Sequence, residues 1–362
     1  MDALSIIIIS ILYLYGLISL YIAFLAKKRN ERGAFINNLV NSLILIVSIT
    51  INITINSLNI TNIGFIIFPF DIFMIIFLIF FLPHFSISVN REKKKVRLKE
   101  KHIEKEENSN LTEVLPFKYE VYRKLTHLVV LGIAFFYFTL GFLVQNIFTF
   151  ILELFPEIVS ELFFSIYNIE ANKMIFTQYL VVFLVGVSLM GLLTADFIRI
   201  LKPNLYPLKP VNRILREKER HMRLGPHISM GIGCFSIILM FGPFQPIGPI
   251  IICTSMTMSI FGDMTANLVG RKFGRRNIRK TKKTFEGLIA GMVIAYISGI
   301  ITLIFINQLY PINLFSMIIL PSIGTLVIGF IDYLDLDVDD NLSYNFVLST
   351  TLFIISLFIL EL

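Results

Sequence analysis

The sequence has no tryptophan, two cysteines and very little charge. Only 16% of its 362 residues are Asp, Glu, Lys or Arg, whereas 56% are hydrophobic, and the mean hydropathy is +0.77. A soluble protein of this length needs far more charged surface, so this composition excludes an ordinary water-soluble fold. Cys234 and Cys253 both lie within apolar segments. This position indicates packing roles rather than a disulfide or a cysteine metal site.

The apolar residues form continuous runs close to the roughly 20 residues that a helix needs to cross a bilayer. Membrane-spanning strands would instead give short segments of alternating polarity. In lipid, a helix satisfies every backbone amide within its own segment. We therefore predict an all-α fold, a polytopic integral membrane helical bundle with about ten transmembrane helices, at 4–26, 34–58, 63–85, 125–148, 175–198, 227–243, 246–264, 285–306, 313–331 and 344–361.

The segment 149–170 is the main ambiguity in the span count. Glu153, Glu157 and Glu161 recur every four residues and form one stripe of a helix. Three carboxylates on one face are costly in lipid, so we expect a helix that lies in the membrane interface.

Basic residues are confined to four loops, and Lys173 is the single Lys or Arg outside them. The loops span 27–32, 91–124, 199–223 and 271–283. With ten spans all four loops fall on the same side, which the positive-inside rule identifies as cytoplasmic. Topology alone accounts for this charge, so it does not indicate nucleic-acid binding.

The segment 261–287 carries the most informative pattern. Gly262, Ala266 and Gly270 form a stripe of small residues on which a helix or a ligand can pack closely. Asp263 and Asn267 are four residues apart, so their oxygens can face one point. A carboxylate and a carboxamide suit Mg²⁺, which prefers oxygen ligands and keeps waters and phosphates in its shell.

A basic loop and the start of another span follow this helix. Guanidinium groups suit phosphate oxygens, and lysines add compact positive charge. A plain topogenic loop explains the lysines but not an acidic residue at the helix end followed by spaced glycines. The residues concerned are Arg271, Gly274, Arg275, Arg276, Lys280, Lys282, Lys283, Thr284, Glu286 and Gly287.

The pattern G-D-x-x-A-x-x-x-G-R-x-x-G, followed by K-K-T-x-E-G, resembles the polyprenol kinase family, which comprises dolichol kinase, phytol kinase and the CTP-dependent diacylglycerol kinases. Further elements similar to those of the family occur in the expected order. They are Glu120, Arg123, Lys124 and His127 in EVYRKLTH; Asp196 and Arg199 in ADFIR; Arg216, Glu217, Glu219 and Gly225 in LREKERHMRLG; and Asp339, Asp340 and Asn341 in VDDNL.

The resemblance covers about 118–362 and divides the chain into three regions. Residues 1–89 form an N-terminal three-span extension, 90–117 a charged cytoplasmic linker, and 118–362 the catalytic membrane domain. The sequence departs from the family near the last element. The acidic residue upstream of D-D-N is typically Glu, and here only Asp332 or Asp335 is available, while Tyr344-Asn345 replaces the usual Pro.

The resemblance implies a lipid kinase that uses CTP and Mg²⁺, with its active site on the cytoplasmic face. Asp263 and Asn267 would hold the metal, and Asp339 or Asp340 would complete the metal site or accept the hydroxyl proton. His127 would act as a hydrogen-bonding partner. The implied nucleotide-binding residues are Asn267, Gly270, Arg271, Gly274, Lys282, Lys283, Thr284, Glu286 and Gly287. The implied substrate-binding or supporting residues are Arg123, Lys124, Asp196, Arg199, Arg216, Glu219 and Asn341.

Two other functions remain open. A membrane cytidylyltransferase would use the same nucleotide and metal to make a CDP-lipid, but its K-D-x-x-x-x-x-P-G-H-G-G stretch does not occur in this sequence. A transporter would place ionisable residues near the bilayer midplane, and here Asp71 is the main such residue. The lipid alcohols that the resemblance implies are a polyprenol such as dolichol, a shorter isoprenoid alcohol, or diacylglycerol, and similarity of the R-E-x-E segment to the dolichol and diacylglycerol branches favours one of these two.

Overall fold

The structure is a computed structural model of the chain. It describes residues 3–61, 63–100, 121, 128, 131–134, 136–167, 173–208, 215, 219, 221–279, 281, 283–334 and 337–360. Within these residues there is no β-strand, and apolar helices make up almost the whole architecture. The predicted all-α membrane bundle is therefore confirmed.

Eleven helices are numbered here in chain order. A π-helical turn, Phe136–Leu140, leads directly into α4, and another, Tyr344–Leu348, lies within α11. The helices are α1 Ala3–Lys28, α2 Arg32–Ser57, α3 Phe70–Glu100, α4 Gly141–Glu153, α5 Glu157–Tyr167, α6 Lys173–Leu201, α7 Pro226–Phe241, α8 Ile247–Phe273, α9 Phe285–Asn307, α10 Leu314–Leu334 and α11 Asp340–Ile359.

Among the described residues, nine helical segments are long and apolar enough to cross a membrane, and each coincides with a predicted span. The remaining predicted span corresponds to α7, which is apolar but has only 16 residues. Gly225 is the N-cap of α7 and Pro226 its first residue, a favourable helix start because proline is well accommodated at the first helical position. The count of about ten spans is thus consistent with the helices observed.

Three segments differ in detail from the sequence-based expectation. The helix α8 continues to Phe273, well beyond the predicted end at 264, so Asp263 lies inside the helix and not at its end. The helix α3 begins at Phe70, after Pro69, and continues into the charged linker as far as Glu100. The segment 149–170 contains the end of α4 and all of α5 instead of one helix. Pro156 explains this break, because proline disfavours helical backbone in the residue before it. The placement of α5 in the membrane interface stays a prediction.

The helices α8 and α9 pack closely against each other. The stripe Gly262, Ala266 and Gly270 lies against α9, where a Cβ added to Gly291 would come within 2.7 Å of the Ala266 Cβ. A Cβ on Gly262 would similarly lie 3.1 Å from the Ala295 Cβ. Small residues on both helices allow this approach. Of the two partners predicted for the stripe, a helix rather than a ligand occupies it. Cys234 and Cys253 are both free and buried, as their predicted packing roles require.

Candidate active site

Charged residues from several helices meet at one end of the bundle. This end contains the last turns of α6, α8 and α10 and the first turns of α7, α9 and α11, as expected for helices that cross in alternating directions. Side-chain contacts connect these termini across the bundle. The principal contacts join Lys283 to Asp332 and Asp340, and Arg199 to the segment 219–225.

The centre of this end is a group of four aspartates around Lys283. The Lys283 Nζ lies 2.9 Å from Asp332 Oδ1 and 3.2 Å from Asp340 Oδ2. Asp340 also interacts electrostatically with Asp263 and Asp339. Lys283 precedes Thr284, the N-cap of α9, while Asp332 lies in the last turn of α10 and Asp340 begins α11. One ammonium group therefore offsets part of the repulsion among carboxylates contributed by three helices.

Asp339 and Asp340 have different surroundings. Asp339 is the N-cap of α11, and its Oδ1 accepts hydrogen bonds from the Asn341 backbone N–H at 3.0 Å and from Asn341 Nδ2 at 2.7 Å. The side chain of Asp340 is about one-third exposed and pairs with Lys283. Asn341 thus holds the cap together, whereas Asp340 is directed toward the charged group.

Two site residues were missed by the sequence analysis. Asp332 appeared there only as one possible substitute for a Glu, yet it is buried and paired with Lys283. Tyr344, noted only because the usual Pro is absent, is 2% exposed and interacts electrostatically with Asp332 and Asp340. It opens the π-helical turn of α11, a feature frequent at functional sites. For Asp332, the only indication in the sequence was an acidic residue at the end of the apolar run that forms α10.

The residue following Tyr344 fixes this turn against two other helices. Asn345 Oδ1 accepts a hydrogen bond from Ser259 Oγ at 2.7 Å, and Asn345 Nδ2 lies 3.5 Å from Cys234 Sγ. At Tyr344-Asn345, where the family usually has a proline, the Asn345 side chain therefore makes two buried polar contacts.

The proposed metal ligands have surroundings that suit a hard cation. Asp263 is buried on α8 and interacts electrostatically with Asp340. Among the described residues, the buried Oδ1 of Asn267 has no hydrogen-bond partner, so it is an acceptor that a cation can satisfy. In the same part of the chain, no three His, Cys, Asp or Glu side chains are arranged to hold a metal by themselves. Mg²⁺ does not require this, because it is commonly bound by one or two carboxylates, waters and substrate phosphates.

The described residues between α8 and α9 are held together by hydrogen bonds and a buried side chain. Ile278 is fully buried, its N–H donates to the Lys283 carbonyl at 2.8 Å, and the Phe285 N–H donates to the Arg276 carbonyl at 2.9 Å. Thr284 Oγ1 caps α9 by accepting the Gly287 N–H at 3.3 Å. These contacts hold the residue before the cap, Lys283, at the acidic group.

Glu286 and Gly274 also have defined roles in this loop. Glu286 Oε2 accepts the backbone N–H groups of Arg275 at 3.0 Å and Arg276 at 3.3 Å. A Cβ on Gly274 would lie 2.2 Å from the Gly270 carbonyl oxygen. The contacts of Thr284, Glu286 and Gly274 are thus within the protein, and a direct role of these residues in nucleotide binding stays a prediction. The side chains of Arg271, Arg275 and Arg276 are exposed beside the loop.

A second charged group lies at the same end and is almost completely buried. Asp196 is 1% and Arg199 2% exposed, and the two form a two-point ion pair through Arg199 Nε and Nη2. Arg199 also donates to the carbonyls of Glu219 at 2.9 Å and Arg223 at 2.7 Å, and Asp196 accepts the Gly225 N–H at 3.0 Å. These bonds fix the segment before α7 to the end of α6, which is a supporting role.

Tyr206, in the loop that follows α6, lies beside this second group. It is 2% exposed, and burial together with the Asp196 carboxylate raises the pKa of its hydroxyl to about 12. The hydroxyl therefore remains protonated at neutral pH, and the buried negative charge of this group resides on carboxylates.

Several predicted site residues lie outside the residues that the structure describes. The first family-like element and the middle of the R-E-x-E segment belong to this set, as does one lysine of K-K-T-x-E-G. Their proposed roles stay predictions; they are Arg123, Lys124, His127, Arg216 and Lys282.

Comparison with known proteins identifies the family. A family model described as the cytidylyltransferase family matches residues 108–357, which include every charged helix end described above. This family includes dolichol kinase and CTP-dependent diacylglycerol kinase members. No curated protein and no solved structure matches the chain significantly. With its acidic group and basic loop gathered at one end of an apolar helical bundle, the chain belongs to the cytidylyltransferase family, and this membership supports a CTP-using, lipid-related enzyme.

Proposed function

We propose that this protein is a membrane-embedded lipid-alcohol kinase that transfers the γ-phosphate of CTP to a polyprenol, another isoprenoid alcohol or diacylglycerol. The observation that carries the proposal is the group formed by Lys283, Asp332 and Asp340 beside Asp263, brought together by α8, α10, α11 and the loop before α9. Phosphoryl transfer requires positioning and charge neutralisation more than covalent help from the protein. This group supplies both a cation and carboxylates at one location.

The position of the group suits a lipid alcohol. Such a substrate keeps its tail among apolar helices and presents its hydroxyl at the level of the headgroups. An enzyme that acts on it must collect its charged residues near the ends of membrane-spanning helices, which is the arrangement of Lys283, Asp332 and Asp340. By the positive-inside rule this end faces the cytoplasm, where CTP is found.

Different residues of the group serve nucleotide binding and proton transfer. Arg271 and Lys283 bind phosphate oxygens of CTP, and Asp263 with Asn267 are the residues that would hold Mg²⁺. The metal, when bound, neutralises charge on the triphosphate. Asp340 is the proton acceptor, because Asp339 Oδ1 is engaged in capping α11, whereas the Asp340 carboxylate is partly exposed beside Lys283. The substrate hydroxyl oxygen forms a bond to the γ-phosphorus as its proton passes to Asp340, the bond from the γ-phosphorus to the bridging oxygen breaks, and CDP leaves.

The main alternative is a cytidylyltransferase that joins CMP to a lipid phosphate and releases pyrophosphate. The name of the matching family favours this alternative. The K-D-x-x-x-x-x-P-G-H-G-G stretch, which is typical of the metal site of those enzymes, does not occur in this sequence, and this difference favours the kinase.

Radiolabelled CTP distinguishes the two reactions directly. Protein purified in detergent is incubated with Mg²⁺ and either γ-labelled or α-labelled CTP, with a panel of dolichol, geranylgeraniol, phytol, diacylglycerol and phosphatidic acid as acceptors. The kinase proposal predicts label from γ-labelled CTP in the lipid phase with at least one alcohol and none from α-labelled CTP. Label from α-labelled CTP in a lipid phosphate would establish the transferase instead.

A further inference from the structure

The N-terminal extension contacts the acidic end of the bundle through α2, although it precedes the region matched by the family model. Asn37, in the second turn of α2, is completely buried. Its Oδ1 accepts a hydrogen bond from the Asp339 backbone N–H at 2.9 Å and another from Arg223 Nη2 at 3.2 Å. One side chain of the extension therefore joins the N-cap of α11 to the segment before α7.

Asn37 belongs to a polar face that runs the length of α2 against α7. The neighbouring Asn38 donates to the Met222 carbonyl at 2.7 Å and accepts the Leu224 N–H at 2.9 Å. Farther along, Asn52 donates to the Leu239 carbonyl at 2.7 Å. Polar side chains between helices in an apolar bundle hold a helix in one register, because each displaced group would lose its partner. The complete polar face comprises Asn37, Asn38, Asn41, Ser48 and Asn52.

Asn37 differs from the other residues of this face because its partner is part of the acidic group. The Asp339 N–H immediately precedes Asp340, whose carboxylate lies 3.2 Å from the Lys283 Nζ. A buried N–H without an acceptor is costly, so the Asp339–Asp340 turn stays where the Asn37 oxygen can reach it. The position of Asp340 relative to Lys283 thus depends on α2.

We infer that Asn37 is a positioning residue for Asp340, and that the N-terminal extension is in this way a component of the active site. The expected change in kcat rests on the proposed function. The expected change in amide exchange rests on the hydrogen bond alone. Removal of the Asn37 acceptor frees the Asp339–Asp340 turn. The transition state for transfer requires Asp340 in place, whereas binding of CTP depends chiefly on residues of α8 and the following loop.

The test uses full-length protein with four single substitutions. Asn37→Leu keeps the side-chain volume but removes the acceptor, Asn37→Ser is a second variant whose hydroxyl is too short to reach the Asp339 N–H, and Asn37→Asp restores an acceptor. Asn52→Leu is the matched control, because it removes one buried hydrogen bond from the same face at the far end of α2. Each protein is measured for kcat, for KM toward CTP and for amide hydrogen exchange in residues 337–343.

In Asn37→Leu and Asn37→Ser we expect kcat to fall by about tenfold or more, with KM for CTP nearly unchanged, since small displacements of a reacting group cost large factors in rate. In residues 337–343, the number of rapidly exchanging amide hydrogens should increase by about one. Asn37→Asp should recover most of the rate, and Asn52→Leu should change neither quantity. The inference is overturned if exchange and kcat stay at wild-type values in Asn37→Leu or Asn37→Ser, or if Asn52→Leu lowers kcat equally. Absence of phosphate transfer by the wild type would refute the kinase proposal, while the exchange measurement would still decide the role of Asn37.

Discussion

The contact between α8 and α9 at Gly287 provides a direct test of how the active site is assembled. A Cβ at this position would lie 2.6 Å from the Ala266 carbonyl oxygen and 3.0 Å from the Gly270 Cα. Both are backbone atoms of α8, so neither can rotate away. Restoring an ordinary contact of 3.4 Å requires the helices to separate locally by up to about 0.8 Å. Gly287→Ala therefore moves the helix that carries Asp263 away from the loop that carries Lys283.

The expected magnitude has two parts. Insertion of one carbon into a packed contact destabilises by about 1–3 kcal/mol. A displacement approaching 1 Å between reacting groups costs on the order of 10²-fold in rate, so we expect phosphate transfer to fall by about 10- to 100-fold. Both effects arise from the same movement of α8 relative to α9.

The assay compares Gly287→Ala with Gly191→Ala, which is a matched control in α6. A Cβ on Gly191 would meet its nearest atoms, from Phe77 and Phe81, at 3.7 Å, an ordinary contact. This substitution should leave activity unchanged and raise stability slightly, because glycine is unfavourable within a helix. Thermal unfolding in detergent and transfer from γ-labelled CTP are measured for both proteins. Equal stability and equal activity of the two variants would refute the helix contact described here.

Three further predictions address the charged groups. Lys283→Met should lower kcat/KM by about 10- to 100-fold, because the phosphates of CTP lose one charged hydrogen bond, which contributes about 1.5–3 kcal/mol; wild-type kinetics would contradict this. Arg199→Met should destabilise the protein by about 3–5 kcal/mol in thermal or denaturant unfolding, because it leaves Asp196 buried without its cation; a change below about 1 kcal/mol would show that the pair is not structural. Chelation of divalent cations with EDTA should abolish transfer and added Mg²⁺ should restore it, whereas transfer that persists in EDTA would exclude the assigned role of Asp263 and Asn267.

The number and positions of the spans were predictable because they depend on local composition. A run of about 20 apolar residues has few alternatives to a membrane helix, and each predicted span coincides with a described helix. The boundaries were less predictable. The helix α3 continues to Glu100, well beyond its apolar run, because the charged residues that follow the run are also helical.

The acidic group was predictable only in part. Asp263, Asp339 and Asp340 stand in recognisable motifs, whereas the partnership of Lys283 with Asp332 depends on how α9 and α10 pack. Spacing along one helix can indicate a shared face, but it carries no information about which side chain of another helix lies opposite.

The role of α2 could not be predicted from the sequence. Asn37 and Asn52 occur in a polar part of the N-terminal extension, and the chain alone gives no partner for them. Their hydrogen-bond partners lie more than 180 residues away, in the segment before α7, in α7 itself and at the start of α11. Only the tertiary structure shows that the extension reaches the end of the bundle where the aspartates meet.

The most direct test of the central claim is phosphate transfer by Asp263→Asn. This substitution keeps the size and polarity of the side chain but removes the charge that would hold Mg²⁺ beside Asn267. Purified wild type and variant are compared with γ-labelled CTP and the accepting lipid alcohol, after thermal unfolding has established that both are folded. We predict that the folded variant loses transfer by about 10³-fold or more. A folded Asp263→Asn protein with wild-type activity would contradict the account.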